Sequence, residues 1–194
     1  MENVNAKAKN IAEETSGKIQ LVYIHRKGIV AQDKKGNKIA FFQIGKSIEP
    51  LLHLPHEYGE GEHDPEFPNC TDTYSFFNEK FGFWVTKKDK SILWRMRTDI
   101  SFVFEGHELI GMKFDDFLSL NLLQPDFIQK DYWYFMFEPK EYYRHYTVYY
   151  FCKYKLIFHV WRKKIRTVFI GDPFFENKKK YFRRYDIQKF VPGE

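Results

Sequence analysis

Along most of this chain, apolar and polar positions alternate at the two-residue period of a strand. Ile19 to Ile24, Gly28 to Gln32 and Lys38 to Ile44 are strand candidates, and the Lys34-Lys35-Gly36-Asn37 turn folds the last two into a hairpin. Tyr74 to Phe77, Phe81 to Thr86 and Ile92 to Phe104 follow. In the last of these, Ser91, Leu93, Arg95 and Arg97 fall on one face and Ile92, Trp94, Met96 and Thr98 on the other, the pattern of a sheet with unequal faces. Tyr132 to Phe137, Tyr142 to Cys152, Tyr154 to Trp161 and Ile165 to Ile170 predict a second antiparallel meander, closed by Gly171-Asp172-Pro173.

Helical spacing is confined to short stretches. Residues 3 to 15 carry a thin stripe of Val4, Ala8, Ile11 and Ala12, which predicts a loosely docked N-terminal helix. Ser47 offers an N-cap ahead of Glu49 and Pro50, with Leu51, Leu52 and Leu54 as the buried side of a brief helix. Phe114, Phe117 and Leu118 predict another, with Asp115 and Asp116 suited to the positive end of its dipole. Between these, Pro55, Gly59, Gly61, Pro65 and Pro68 punctuate residues 55 to 70, which predicts a long loop.

The segments echo one another. Ile44-Gly45-Lys46-Ser47-Ile48-Glu49 is answered by the Ile110-Gly111 opening of the second helical stretch. Phe83-Trp84-Val85, a basic turn and Ile92 to Phe102 are answered by Leu156 to Val160, another basic turn and Ile165 to Phe169. The exact register of this echo is ambiguous, because matching Ile92 to Ile165 conflicts with matching Arg97-Thr98 to Arg166-Thr167. The expected class is therefore α+β, with two similar units of a short helix plus an antiparallel meander packed as one domain. The expected segments are 1–17 (N-terminal helix or flexible segment), 18–104, 105–175 and a basic, aromatic C-terminal segment at 176–194.

Composition sharpens this picture. The 194 residues suffice for a sizeable core, and 20% are aromatic, a density of large β-favouring side chains that usually covers a sheet. The net charge of +5 is segregated. Glu57, Glu60, Glu62, Asp64 and Glu66 lie in one stretch without Lys or Arg, whereas Lys178, Lys179, Lys180, Arg183 and Arg184 interleave with Tyr181, Phe182 and Tyr185. Cys70 and Cys152 are too few for a disulfide framework and are expected to be reduced. Residues 1 to 20 contain no apolar h-region, and no run approaches a membrane span, so a cytoplasmic setting is expected.

The chemistry-bearing patterns largely exclude themselves. His53, His56 and Glu57 lack the one-turn His spacing of a zincin, and Pro55 interrupts them, so no metal site is expected. No Gly-x-Ser-x-Gly elbow, Walker loop or dinucleotide loop occurs, so no catalytic residue and no cofactor is expected either. The basic C-terminal segment could bind nucleic acid, its cations meeting phosphates and its rings stacking bases. The alternative for that segment is a solvated tail whose aromatics pack on the sheet.

The paired Ile-Gly openings at Ile44 to Glu49 and Ile110 to Asp116, with the Gly-Phe-Trp strand that runs through a Lys-rich turn into an Ile-rich strand, resemble the small immunity proteins of interbacterial competition. The resemblance covers residues 20 to 170. It implies a non-enzymatic protein that binds and neutralises a cognate toxin through protein-protein contact, with each pair having its own interface. On that reading Glu57, Glu60, Glu62, Asp64 and Glu66 face the toxin. The alternative is nucleic-acid binding through Lys178, Lys179, Lys180, Arg183 and Arg184.

Overall fold

A computed structural model describes residues 19–25, 27–60, 71–77, 81–86, 89–136, 142–171, 175, 178–179, 182 and 185–192. The expected N-terminal helix, most of the acidic stretch and part of the basic C-terminal segment, including Lys180, Arg183 and Arg184, lie outside them. The chain divides into two compact units, Met1–Glu108 and Leu109–Glu194.

The first unit holds two ladders. β1 (Gln20–Ile24), β2 (Gly28–Gln32) and β3 (Lys38–Phe42) form a meander, extended across a parallel contact of β1 by β8 (Val103–Phe104) and β9 (His107–Glu108), in the order β3-β2-β1-β8-β9. The expected turn at residues 34 to 37 forms because Asp33 Oδ1 accepts the backbone N–H groups of Lys35 and Asn37, both at 2.8 Å. The second ladder runs β4 (His56–Gly59), β5 (Thr71–Phe76), β6 (Phe81–Thr86) and β7 (Asp89–Thr98), each antiparallel to the next. Phe42 of β3 meets Phe76 and Phe81 edge-on, with ring centroids 5.5 and 5.2 Å apart, and all three are fully buried. This is the geometry that aromatic quadrupoles prefer.

In the second unit, β10 (Phe127–Met136), β11 (Tyr142–Phe151), β12 (Leu156–Trp161) and β13 (Lys164–Ile170) form an antiparallel meander, with β14 (Ile187–Lys189) alongside β10. Helix α1 (Phe114–Ser119) places Phe117 edge-on against Phe151 and Phe158, and Phe114 stacks on Tyr149. Asp115 and Asp116 occupy its first turn as expected.

The class is corrected. Strands dominate the described residues, and the fold is not α+β built on two helix units. Where a helix was expected after Ser47, only a 3-10 turn forms, Glu49–Leu51. Ser47 does not cap it: Ile48 takes the N-cap position, while Ser47 Oγ accepts the Glu49 N–H at 3.2 Å in a local turn, and Ser47 itself bridges to Ile92. With Pro50 inside the turn and Pro55 just beyond it, too few residues remain to propagate a helix. The loop expected over 55 to 70 likewise yields a strand, β4. Pro55 and the flanking glycines would disrupt a central strand, but they are tolerated at an edge.

The echo has a concrete local form. In the first unit Gly45 N–H donates to Leu93 O at 2.6 Å and Leu93 N–H to Lys46 O at 2.9 Å; in the second, Gly111 N–H donates to Ile165 O at 2.8 Å and Ile165 N–H to Met112 O at 3.0 Å. Both glycines have positive φ, 77° and 88°. Both adjoining hairpins also carry a bulge beside this contact. Trp84 pairs with Arg95 and Val85 with Leu93, leaving Trp94 extra; His159 pairs with Thr167 and Val160 with Ile165, leaving Arg166 extra. The matching register is thus Leu93 with Ile165, which neither sequence alignment proposed.

Candidate functional site

In the first unit, β4 is the end strand of its ladder, paired with β5 from His56 opposite Phe76 to Gly59 opposite Thr73. His56, Glu57 and Tyr58 are all exposed, as is Glu60 beyond them. Tyr58 is 49% exposed, the most exposed large hydrophobic side chain among the described residues. Its hydroxyl donates to Asp72 Oδ2 at 2.9 Å, and Asp72 is buried. The ring also lies 5.2 Å from that of Tyr74 across the ladder. An exposed aromatic is thereby held in one orientation from beneath.

The hydrogen bond to Asp72, then desolvation and the charge of Asp72, push the Tyr58 hydroxyl up to about 12, so the phenol stays neutral across the physiological range. Thr73 Oγ1 donates to Gly59 O at 3.2 Å, and a Cβ at Gly59 would sit 2.6 Å from Thr73 Oγ1, so the strand end favours glycine.

Of the five acids expected to face a partner, Glu57 and Glu60 flank Tyr58, whereas Glu62, Asp64 and Glu66 lie outside the described residues. The sequence reading missed Tyr58 and Asp72. The available signal was a large aromatic set between carboxylates, with a further acid where β5 begins. His53 and His56 each place Nδ1 2.8 Å from a nearby backbone carbonyl, of Pro50 and Leu54 respectively. Among the described residues no cluster of three or more His, Cys, Asp or Glu could hold an ion.

The basic segment is only partly described, because Lys180, Arg183 and Arg184 fall outside. Lys178 sits 6.0 Å over the Phe127 ring, and Phe182 meets the same ring edge-on at 5.0 Å. Here aromatic and aliphatic surface of the segment packs against β10. Lys178 also lies against the thiol of Cys152, which burial pushes up and Lys178 partly draws down. Cys152 is a free cysteine; Cys70 lies outside the described residues. Among the described residues no helix is long and apolar enough to cross a membrane. No family model, curated protein or solved structure matches the chain.

Proposed function

We propose that this is an immunity-type protein of the bacterial cytoplasm that neutralises a toxin by binding it through the β4 edge of the first unit. The observation that carries the reading is Tyr58: an exposed aromatic, fixed by a buried carboxylate and flanked by Glu57 and Glu60 on an end strand. Interfaces draw most of their affinity from a few such rigid aromatic anchors, while surrounding charges govern encounter. A toxin whose cleft binds phosphate-rich substrate presents the basic surface that this acidic rim complements.

The experiment has two stages. Capture from the native host with tagged protein should recover a toxin, and co-expression should restore growth to cells that make it. Against that toxin, Tyr58→Ala should weaken binding by about tenfold or more, chiefly through faster dissociation. Glu57→Gln with Glu60→Gln should slow association at low salt and matter less at high salt. Growth that stays inhibited, or full affinity in Tyr58→Ala, would refute the assignment.

A further inference from the structure

A cluster of cations lies elsewhere among the described residues, with the exposed acids Asp115 and Asp116 as its near neighbours in the first turn of α1. In the second unit, strands β12 and β13 are joined by a two-residue turn, with Trp161 paired to Lys164 and Arg162 and Lys163 at the corner. The start of α1 is stitched to this turn: Phe114 N–H donates to Lys163 O at 2.8 Å, and Lys113 bridges to Lys164. The backbone thus brings Lys113, Arg162, Lys163 and Lys164 together, all four exposed, with Arg166 two residues further along β13.

Several observations set this tip apart from an ordinary solvated turn. Arg162 and Lys163 both have positive φ, 49° and 60°, a conformation for which such turns favour Asn-Gly. Lys113 faces Lys164 directly across the bridge, where like charges destabilise. Trp161 lies beneath two guanidinium groups, 4.4 Å from Arg162 and 5.5 Å from Arg166, which holds the Arg forks in place. The Arg166 Nε is buried and has no hydrogen-bond partner among the described residues. Among the described residues the exposed large hydrophobics Tyr58, Phe182 and Val191 all lie outside this tip, and its one large ring, Trp161, is only half-exposed beneath the guanidinium groups.

We propose that the tip formed by Lys113, Arg162, Lys163, Lys164 and Arg166 docks the phosphate backbone of duplex nucleic acid, without regard to base sequence. Phosphate contacts need cations and donors but no apolar core. Trp161 already stacks against guanidinium, so the tip presents cations rather than a bare ring for splayed bases. The site uses no residue of β4 and does not depend on the toxin reading.

The test is fluorescence anisotropy of a labelled mixed-sequence DNA duplex with the full chain, across salt from about 50 to 200 mM. Affinity should fall with salt, with a log-log slope of about −0.9 for each phosphate contacted. The double variant Arg162→Asn with Lys163→Gly removes two charges while supplying the favoured turn pair, so its unfolding midpoint should hold or rise. Its slope should shrink by about 2 and its affinity drop about tenfold. Lys113→Gln with Lys164→Gln, which removes the facing like charges, provides an independent variant and should lose binding similarly. Wild-type affinity and slope in both variants would overturn the proposal, as would absence of salt-dependent duplex binding. So would binding to vesicles of anionic phospholipid by a protein that ignores the duplex, or loss of duplex binding in Lys178→Gln with Lys179→Gln instead.

Discussion

Tyr58 shows how a single side chain can make an edge sensitive to pH. Its hydroxyl is pushed up from 10.0 to about 12 by the bond to Asp72, so the folded state holds the proton more tightly than the unfolded chain. That contribution is complete below pH 10 and disappears as pH rises through 12. The urea midpoint of the wild type should therefore decline more steeply over that window than that of Tyr58→Phe, and parallel curves would deny the linkage. Cys152 behaves similarly in sign: burial raises its thiol, so alkylation near neutral pH should be slower than for a small free thiol. At this scale the sequence singled out Glu57 and Glu60, which are exposed, but not the fixed ring of Tyr58 between them, because the local sequence says nothing of the buried Asp72 that orients it. The two residues are 14 apart along the chain and meet only through the pairing of β4 with β5.

Among the elements, strand positions were largely legible because period-2 alternation survives wherever one face is buried. β6, Phe81–Thr86, falls where the alternation put it, and β2 likewise. What failed was the arbitration between helix and turn after Ser47, where an N-cap residue and three leucines suggested a helix that Pro55 stops before it can propagate past its first turn. The bulges at Trp94 and Arg166 were hidden for a different reason: an extra residue rephases the alternation without leaving a compositional mark. Glycines separate two kinds of constraint. A Cβ at Gly28 would lie 2.0 Å from Phe42 O, whereas Gly111 has open space and only its positive φ to satisfy. Gly28→Ala should thus cost about 3 kcal/mol or more, and Gly111→Ala about 1 kcal/mol, measured by urea unfolding. Equal losses would mean that backbone conformation, not contact, sets both.

For the molecule as a whole, the net charge of +5 conceals opposite tendencies in the two units, an acidic edge in the first and a cationic turn in the second. The sequence reading took the C-terminal segment as the basic feature and Arg162-Lys163-Lys164 as no more than a short basic turn; Lys113, far from it along the chain, joins that turn only through its bridge to Lys164. The end strand β4 has one more consequence, for the behaviour of many copies in solution. An open strand edge is a template onto which another copy can add its own, and carboxylates there act as gatekeepers against such stacking. Replacing Glu57 and Glu60 by Gln moves the net charge further from zero, so bulk charge repulsion alone would make the variant more dispersed. Gatekeeping calls for the reverse, with more self-association in light scattering at neutral pH, because what keeps the copies apart is the sign of the charge along one short edge.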